Sequence, residues 1–161
     1  MLAVAALALG GCGYSLRGTL PSQIQTVAVP IFLNRTSQPG VEAILTRAIA
    51  QALATNGRLR VVRPEEADAI LNGEVITYSV APIAFDQSLN IQEYRLVVVL
   101  NLRMRDVRKN TVLFQQNGVA EQADFRVAGP VSATIAVEET ALTFAAGEIA
   151  RSIVSLAIDP F

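Results

Sequence analysis

The chain has 161 residues and a formal net charge of −1, a length that suits one domain able to bury its own core without disulfides or a structural metal. Its basic residues are scattered rather than gathered into the stripe that a phosphate backbone demands, so nucleic acid is not an expected partner. With no histidine and a single cysteine, it lacks the commonest general base, the Ser-His-Asp and Cys-His nucleophile systems and the mixed zinc sites; neither enzyme chemistry nor a metal or cofactor is expected.

Residues 1–9 are wholly apolar and run into Gly10, Gly11 and Cys12. Such a run is too short to span a bilayer, which takes about 20 apolar residues, but it suits the apolar core of a signal peptide. Leu9-Gly10-Gly11-Cys12 has the form of a lipobox: an apolar residue and two small ones let a peptidase hold extended backbone around the bond before the cysteine. Residues 1–11 therefore read as a lipoprotein signal peptide, Cys12 as the acylated first residue of the mature chain, residues 12–25 as a tether and residues 26–161 as one domain. Two or three acyl chains, at about 0.8 kcal/mol per buried methylene, anchor stably. A signal peptide ordinarily opens on Lys or Arg, and neither precedes the apolar run here. Gly13, where an Asp would retain an enteric lipoprotein at the inner membrane, points to the outer membrane.

Residues 26–32, a β-branched run, predict a strand whose far end Pro30 confines to an edge or bulge. Asn34-Arg35-Thr36 reads as loop chemistry rather than a glycosylation sequon. Val41, Ile44, Leu45, Ala48, Ile49, Ala52 and Leu53 recur on one helical face, with Pro39 suited to the entrance and Gly57 to the exit. Residues 59–62 predict a short strand and residues 69–80 a longer one, whose mixed pattern does not reveal its inward face. Residues 96–105 are clearer: Leu96, Val98, Leu100, Leu102 and Met104 alternate with Val97, Val99, Asn101, Arg103 and Arg105. Residues 106–110 supply a polar turn, and residues 111–121 return as the second strand of a hairpin. After Gly129-Pro130, Ile135, Leu142, Ala145, Ile149, Ile153 and Leu156 mark a helix that Pro160 ends. A helix over residues 132–156 would be about 37 Å long, longer than residues 96–104 at about 3.4 Å each, so one end is expected to overhang the sheet. The order predicts an α+β two-layer sandwich: a mixed sheet of four or five strands, with two helices packed on one face and a parallel strand pair across the first helix.

Several stretches share a pattern: Cys12-Gly13-Tyr14-Ser15-Leu16-Arg17-Gly18, Val27-Ala28-Val29-Pro30-Ile31-Phe32-Leu33-Asn34-Arg35-Thr36, Pro39-Gly40-Val41-Glu42, Ala67-Asp68-Ala69-Ile70-Leu71-Asn72-Gly73-Glu74 and Glu138-Glu139. Together they resemble the LptE family of LPS-assembly lipoproteins, over nearly the whole mature chain and most specifically in the Cys-Gly-Tyr-x-Leu-Arg-Gly opening. The resemblance implies a two-helix, four-stranded sandwich and a non-catalytic outer-membrane lipoprotein. It further implies a plug inside the LptD β-barrel that helps the barrel assemble and contacts lipopolysaccharide on its way to the outer leaflet. The alternative is a periplasmic outer-membrane lipoprotein that activates a cell-wall synthase or forms part of a secretion channel, since both can share the Val-Ala-Val and Phe-x-Asn-x-Thr strand. Those carry a longer tether, whereas here only residues 13–25 separate the cysteine from the first strand.

Arg95, Arg103, Arg105, Arg108 and Lys109 gather near one strand and its turn, with only Asp106 apparent in opposition. Guanidinium forks suit the phosphates of lipid A, which makes Arg103, Arg105, Arg108 and Lys109 the candidate ligand contacts; the competing reading is a solvated strand face whose charges prevent edge pairing. Val97 and Val99 lie opposite the core residues of their strand. With both helices on the other face and a mean hydropathy of +0.40, they are expected to face a partner. Glu65-Glu66 with Asp68, and Glu138-Glu139, are the carboxylate clusters, and both read as surface or dipole chemistry rather than catalysis. Tyr14, Leu16 and Arg17 are expected to dock on the domain or its partner.

Overall fold

The computed structural model describes residues 20–158; the signal segment, Cys12, Gly13, Tyr14, Leu16, Arg17 and Pro160 lie outside the described residues. The elements run β1 (Thr26–Ala28), β2 (Leu33–Asn34), α1 (Val41–Asn56), β3 (Arg60–Val61), a 3₁₀ turn (Pro64–Glu66), β4 (Ala69–Phe85), β5 (Ile91–Asp106), β6 (Val112–Arg126) and α2 (Val131–Ala157). They form a mixed six-stranded sheet in the order β3-β1-β4-β5-β6, with β2 alongside β4. β1 pairs in parallel with both β3 and β4, and β2 in parallel with β4, while β4, β5 and β6 form an antiparallel meander. The fold is therefore the expected α+β arrangement of two helices on a mixed sheet, with one strand more than the expected four or five.

Residues 26–32 do not form one strand: β1 ends at Ala28, and the extra strand, β2, begins just past the run at Leu33. Pro30 has no N–H to give to a ladder; the chain leaves the sheet after Ala28, exposes Ile31 at 72%, and returns at Leu33 to pair with Glu74, farther along β4. Between the two pieces Phe32 turns inward and is buried. Its amide donates to Thr46 Oγ1 at 3.0 Å, and that hydroxyl in turn donates to the Glu42 carbonyl at 2.6 Å, so the strap is pinned to the first turns of α1.

β5 pairs on both sides along its length and behaves as its alternation requires: Leu96, Val98, Leu100, Leu102 and Met104 are all buried. Its neighbours change parity. In β4 the inward residues are Leu71, Gly73 and Val75, facing Met104, Leu102 and Leu100; after an irregularity between Val75 and Thr77 they are Tyr78 and Val80, facing Val98 and Leu96. In β6 Phe114 and Gln116 face Met104 and Leu102, and past Gly118 (φ 67) Val119, Glu121, Ala123 and Phe125 face Leu100, Val98, Leu96 and Tyr94. A bulge inserts one residue and so flips every side chain beyond it, which explains the unreadable pattern of β4.

α1 lays Val41, Leu45, Ile49 and Leu53 into the core and ends at Gly57, whose left-handed φ of 78 closes the last turn. α2 presents Ala141, Leu142, Ala145, Ala146, Ile149, Ala150 and Ile153; the alanines let it approach α1 closely. Each large aliphatic side chain buried here contributes roughly 1.5–3 kcal/mol of transfer free energy. The expected overhang of α2 is reversed: its 27 residues span about 40 Å, whereas the 16 residues of β5 span about 54 Å, so the strands outrun the helix.

Candidate functional site

With both helices on one face, the other face of the meander is open. Val97 pairs with Ser79 and Gln122, and Val99 with Thr77 and Ala120, so both valines stand half-buried among small and polar neighbours. Arg103 and Arg105 continue the same face toward the β5–β6 turn, opposite Asn72 and Ile70. Arg103 is exposed and makes no ion pair among the described residues. Arg105 donates through Nη1 to Asn110 Oδ1 at 2.6 Å. On the β2 side Arg35 pairs with Glu74 at 2.6 Å.

Arg108 and Lys109 lie off this face, in the turn. Asp106 is buried and its Oδ1 accepts their backbone N–H groups at 2.8 and 2.9 Å. That carboxylate closes the turn rather than opposing the guanidinium groups. The opposition comes from elsewhere: Arg108 reaches Asp68 at 3.4 Å, and Arg95 makes a two-pronged pair with Asp124 at 2.7 and 2.8 Å. The expectation of five cations facing only Asp106 is corrected accordingly. Among the four candidate contacts, Arg103 and Arg105 share a face, while Arg108 and Lys109 line a shallow cleft with Gln23, Ile24, Asp68 and Asp106.

Of the two carboxylate clusters, Asp68 and Glu138 tie separate elements together. Asp68 Oδ2 accepts from Thr26 Oγ1 at 2.8 Å, Thr26 N at 3.1 Å and Gln25 N at 3.2 Å, and Asp68 N donates to Thr26 Oγ1 at 2.8 Å. The Thr26 hydroxyl first, and then the Gln25 amide, hold its carboxyl below the ordinary value. Glu66 pairs with Arg63 at 2.5 Å on the surface. Glu138 accepts from the Tyr78 phenol at 2.5 Å, and burial, reinforced by that carboxylate, pushes the phenol above its ordinary range. Among the described residues no group of three or more His, Cys, Asp or Glu side chains could hold a metal ion. Asn34 does the loop chemistry expected of it: Oδ1 accepts from Thr36 N and Oγ1, both at 2.8 Å, and Nδ2 donates to Gln38 O and Glu42 Oε2, both at 2.7 Å.

One feature escaped the sequence. At the far end of the strands, Val80, Tyr94, Phe125, Val127, Val131 and Ile135 line a mostly apolar cleft under the start of α2, with Tyr94 and Phe125 stacked at 5.6 Å. The adjoining β4–β5 tip exposes Phe85 at 54% and Leu89 at 81%. Leu89 has φ 63, in a loop closed by Asp86 Oδ1, which accepts from Ser88 N at 2.8 Å and Asn90 N at 2.9 Å. The available signal was Ile83, Phe85, Leu89 and Ile91, apolar residues in a stretch that periodicity left unassigned.

The fold recurs in solved structures. An uncharacterized lipoprotein B from Nitrosomonas europaea is 18% identical, with 89% of this chain and 88% of that chain covered and a TM-score of 0.55. A lipoprotein from Caulobacter crescentus is 17% identical, with 78% and 87% covered and a TM-score of 0.55. A PelC dodecamer from Paraburkholderia phytofirmans is 18% identical, with 88% and 94% covered and a TM-score of 0.57. At such identities the likeness is one of fold alone. No curated protein matches significantly, and no described helix is long and apolar enough to cross a membrane. Residues 24–156, from the strand that receives Asp68 to the last turn of α2, match the family LptE, lipopolysaccharide-assembly. The chain belongs to the LptE family.

Proposed function

We propose that this chain is a non-catalytic outer-membrane lipoprotein, acylated at Cys12, that seats in the lumen of an LptD-like β-barrel and assists lipopolysaccharide toward the outer leaflet. The observation that carries the reading is the open sheet face. Val97 and Val99 sit there with Thr77, Ser79, Ala120 and Gln122 as cross-strand neighbours. Uncharged side chains such as these let another protein surface approach at modest desolvation cost. Arg103 and Arg105 lie on that same face, two residues and about 7 Å apart along the strand. Guanidinium forks at that spacing can donate bidentately to two phosphate groups, and among the described residues Arg103 has no carboxylate to give up first.

The test is Val97→Glu combined with Val99→Glu, expressed in cells and purified from detergent-solubilised outer membrane. The double variant keeps its circular dichroism spectrum and melting temperature but no longer co-purifies with the barrel. If it unfolds, the valines are core; if it still co-purifies, the face is not the contact. Either result refutes the assignment.

A further inference from the structure

β5 decides which backbone groups of β6 are already spent. In an antiparallel ladder a residue aims its N–H and its C=O to the same side, so bonded and unbonded positions alternate along the strand. Val127 N donates to Gln92 O at 3.0 Å, and at the other end of the hairpin Asp106 N donates to Thr111 O at 2.9 Å. The even-numbered residues of β5 are therefore the ones that bond to β6. Past the bulge their partners are Val119, Glu121, Ala123 and Phe125. Ala120, Gln122, Asp124 and Arg126 aim their N–H and C=O groups the other way, off the edge of the sheet. All four residues are exposed, and among the described residues these backbone groups have no partner. The run begins after Gly118, whose N–H is taken by Asn101 Oδ1 at 2.9 Å.

The other margin of the sheet is guarded. β1 and β2 cover β4 as far as Val75, whose carbonyl accepts from Arg35 N at 2.9 Å, and beyond them the outward positions include Pro82, which has no N–H to offer. The run from Ala120 to Arg126 contains neither proline nor lysine, and Asp124 is committed to Arg95. Ala120 and Gln122 stand beside Val99 and Val97, on the face assigned above to the barrel, so whatever packs on those valines lies about 4.8 Å, one strand spacing, from the edge. Excluding water there without supplying partners leaves buried backbone groups unpaired, each at a cost comparable to a lost hydrogen bond. The wall of a closed barrel cannot supply them, because its strands are already paired on both sides. We propose that a segment of the barrel chain that leaves the wall as an extended strand pairs with residues 120–126 and lengthens the sheet by one strand. The inference rests on the barrel seating proposed above and names the backbone contact which that seating requires. Its main-chain bonds come from Ala120, Gln122, Asp124 and Arg126.

The experiment compares amide hydrogen exchange in the purified full chain, alone and in the detergent-solubilised complex with its barrel, resolved residue by residue by electron-transfer fragmentation. In the isolated chain the amides of residues 120, 122, 124 and 126 exchange fast and those of residues 121, 123 and 125 slowly. In the complex that alternation disappears, because the four fast amides slow by about tenfold or more. Gln122→Pro removes one outward N–H at a position where an edge strand tolerates proline and weakens the complex about tenfold or more; Gln122→Ala, which keeps the N–H, weakens it distinctly less. Four amides that stay fast in the complex, or equal effects of the two substitutions, overturn the inference and leave the seating intact. Should Gln122→Pro lose its fold, the exchange pattern of the unsubstituted chain decides. Protection of the same amides in the isolated chain that grows with its concentration places a second copy of this chain on the edge and likewise overturns the inference. A chain that recovers no barrel refutes the seating, and the inference with it, a failure distinct from a complex whose edge amides stay fast.

Discussion

Gly73 faces the core of β4, and the Phe32 ring lies directly over it. A Cβ built there would stand 2.5, 2.6 and 2.7 Å from Cδ2, Cγ and Cδ1 of that ring, well inside contact distance. The ring cannot easily retreat, because Phe32 is buried and its amide is fixed to Thr46. Gly73→Ala should therefore destabilise the domain. Overpacking costs about 1–3 kcal/mol, and a Cβ within 2.7 Å of a pinned ring belongs at the upper end, about 2–3 kcal/mol; against as much as about 1 kcal/mol gained by removing a strand glycine, this leaves a net loss of at least about 1–2 kcal/mol. Phe32→Ala alone removes a buried aromatic and costs about 3–5 kcal/mol. In the double variant the alanine methyl occupies space the ring has vacated, so the sum fails: the pair should be more stable than additivity predicts by at least about 1 kcal/mol. Urea unfolding of the four proteins measures this directly; with a slope near 2 kcal/mol per molar, Gly73→Ala lowers the midpoint by about 0.5–1 M. A neutral Gly73→Ala, or strict additivity in the double variant, would refute the contact as the reason for a glycine here.

Three other outcomes are expected. Asp68→Asn removes a carboxylate that holds the start of β1 and should cost about 1–3 kcal/mol at neutral pH. Because the folded carboxyl lies below its ordinary value of 3.8, its contribution is present above that pH and lost as pH falls through the folded value, so parent and variant melting curves converge in acid. Cys12→Ala should leave an unprocessed precursor that takes up no labelled palmitate; normal incorporation would remove the anchor from the account. Arg103→Gln with Arg105→Gln should weaken lipopolysaccharide binding at low salt with the circular dichroism spectrum unchanged, whereas Arg108→Gln with Lys109→Gln should weaken it less; equal affinity in all variants would leave the face as solvated charge.

The elements whose side-chain pattern follows one uninterrupted geometry were legible in the residues alone. In α1, Val41, Leu45, Ile49 and Leu53 repeat at helical spacing because a single face meets the core; in β5, Leu96 to Met104 alternate because the strand pairs on both sides while the bulges fall in its neighbours. The closing helix and the absence of histidine chemistry could be read in the same way. What the residues could not disclose depended on pairing across long separations. The bulges near Ile76 and Gly118 flip the faces of β4 and β6, the chain resumes pairing past Pro30 at Leu33, opposite Glu74, and Gly73 is needed only because Phe32 comes to rest on it. The candidate basic patch divides for the same reason. Arg103 and Arg105 have the parity of an open face, whereas Arg108 and Lys109 follow the turn that Asp106 closes, beside Asp68. A periodic pattern records which face of an element is dry; it carries no record of which distant strand supplies the neighbour, and only the assembled sheet decides that.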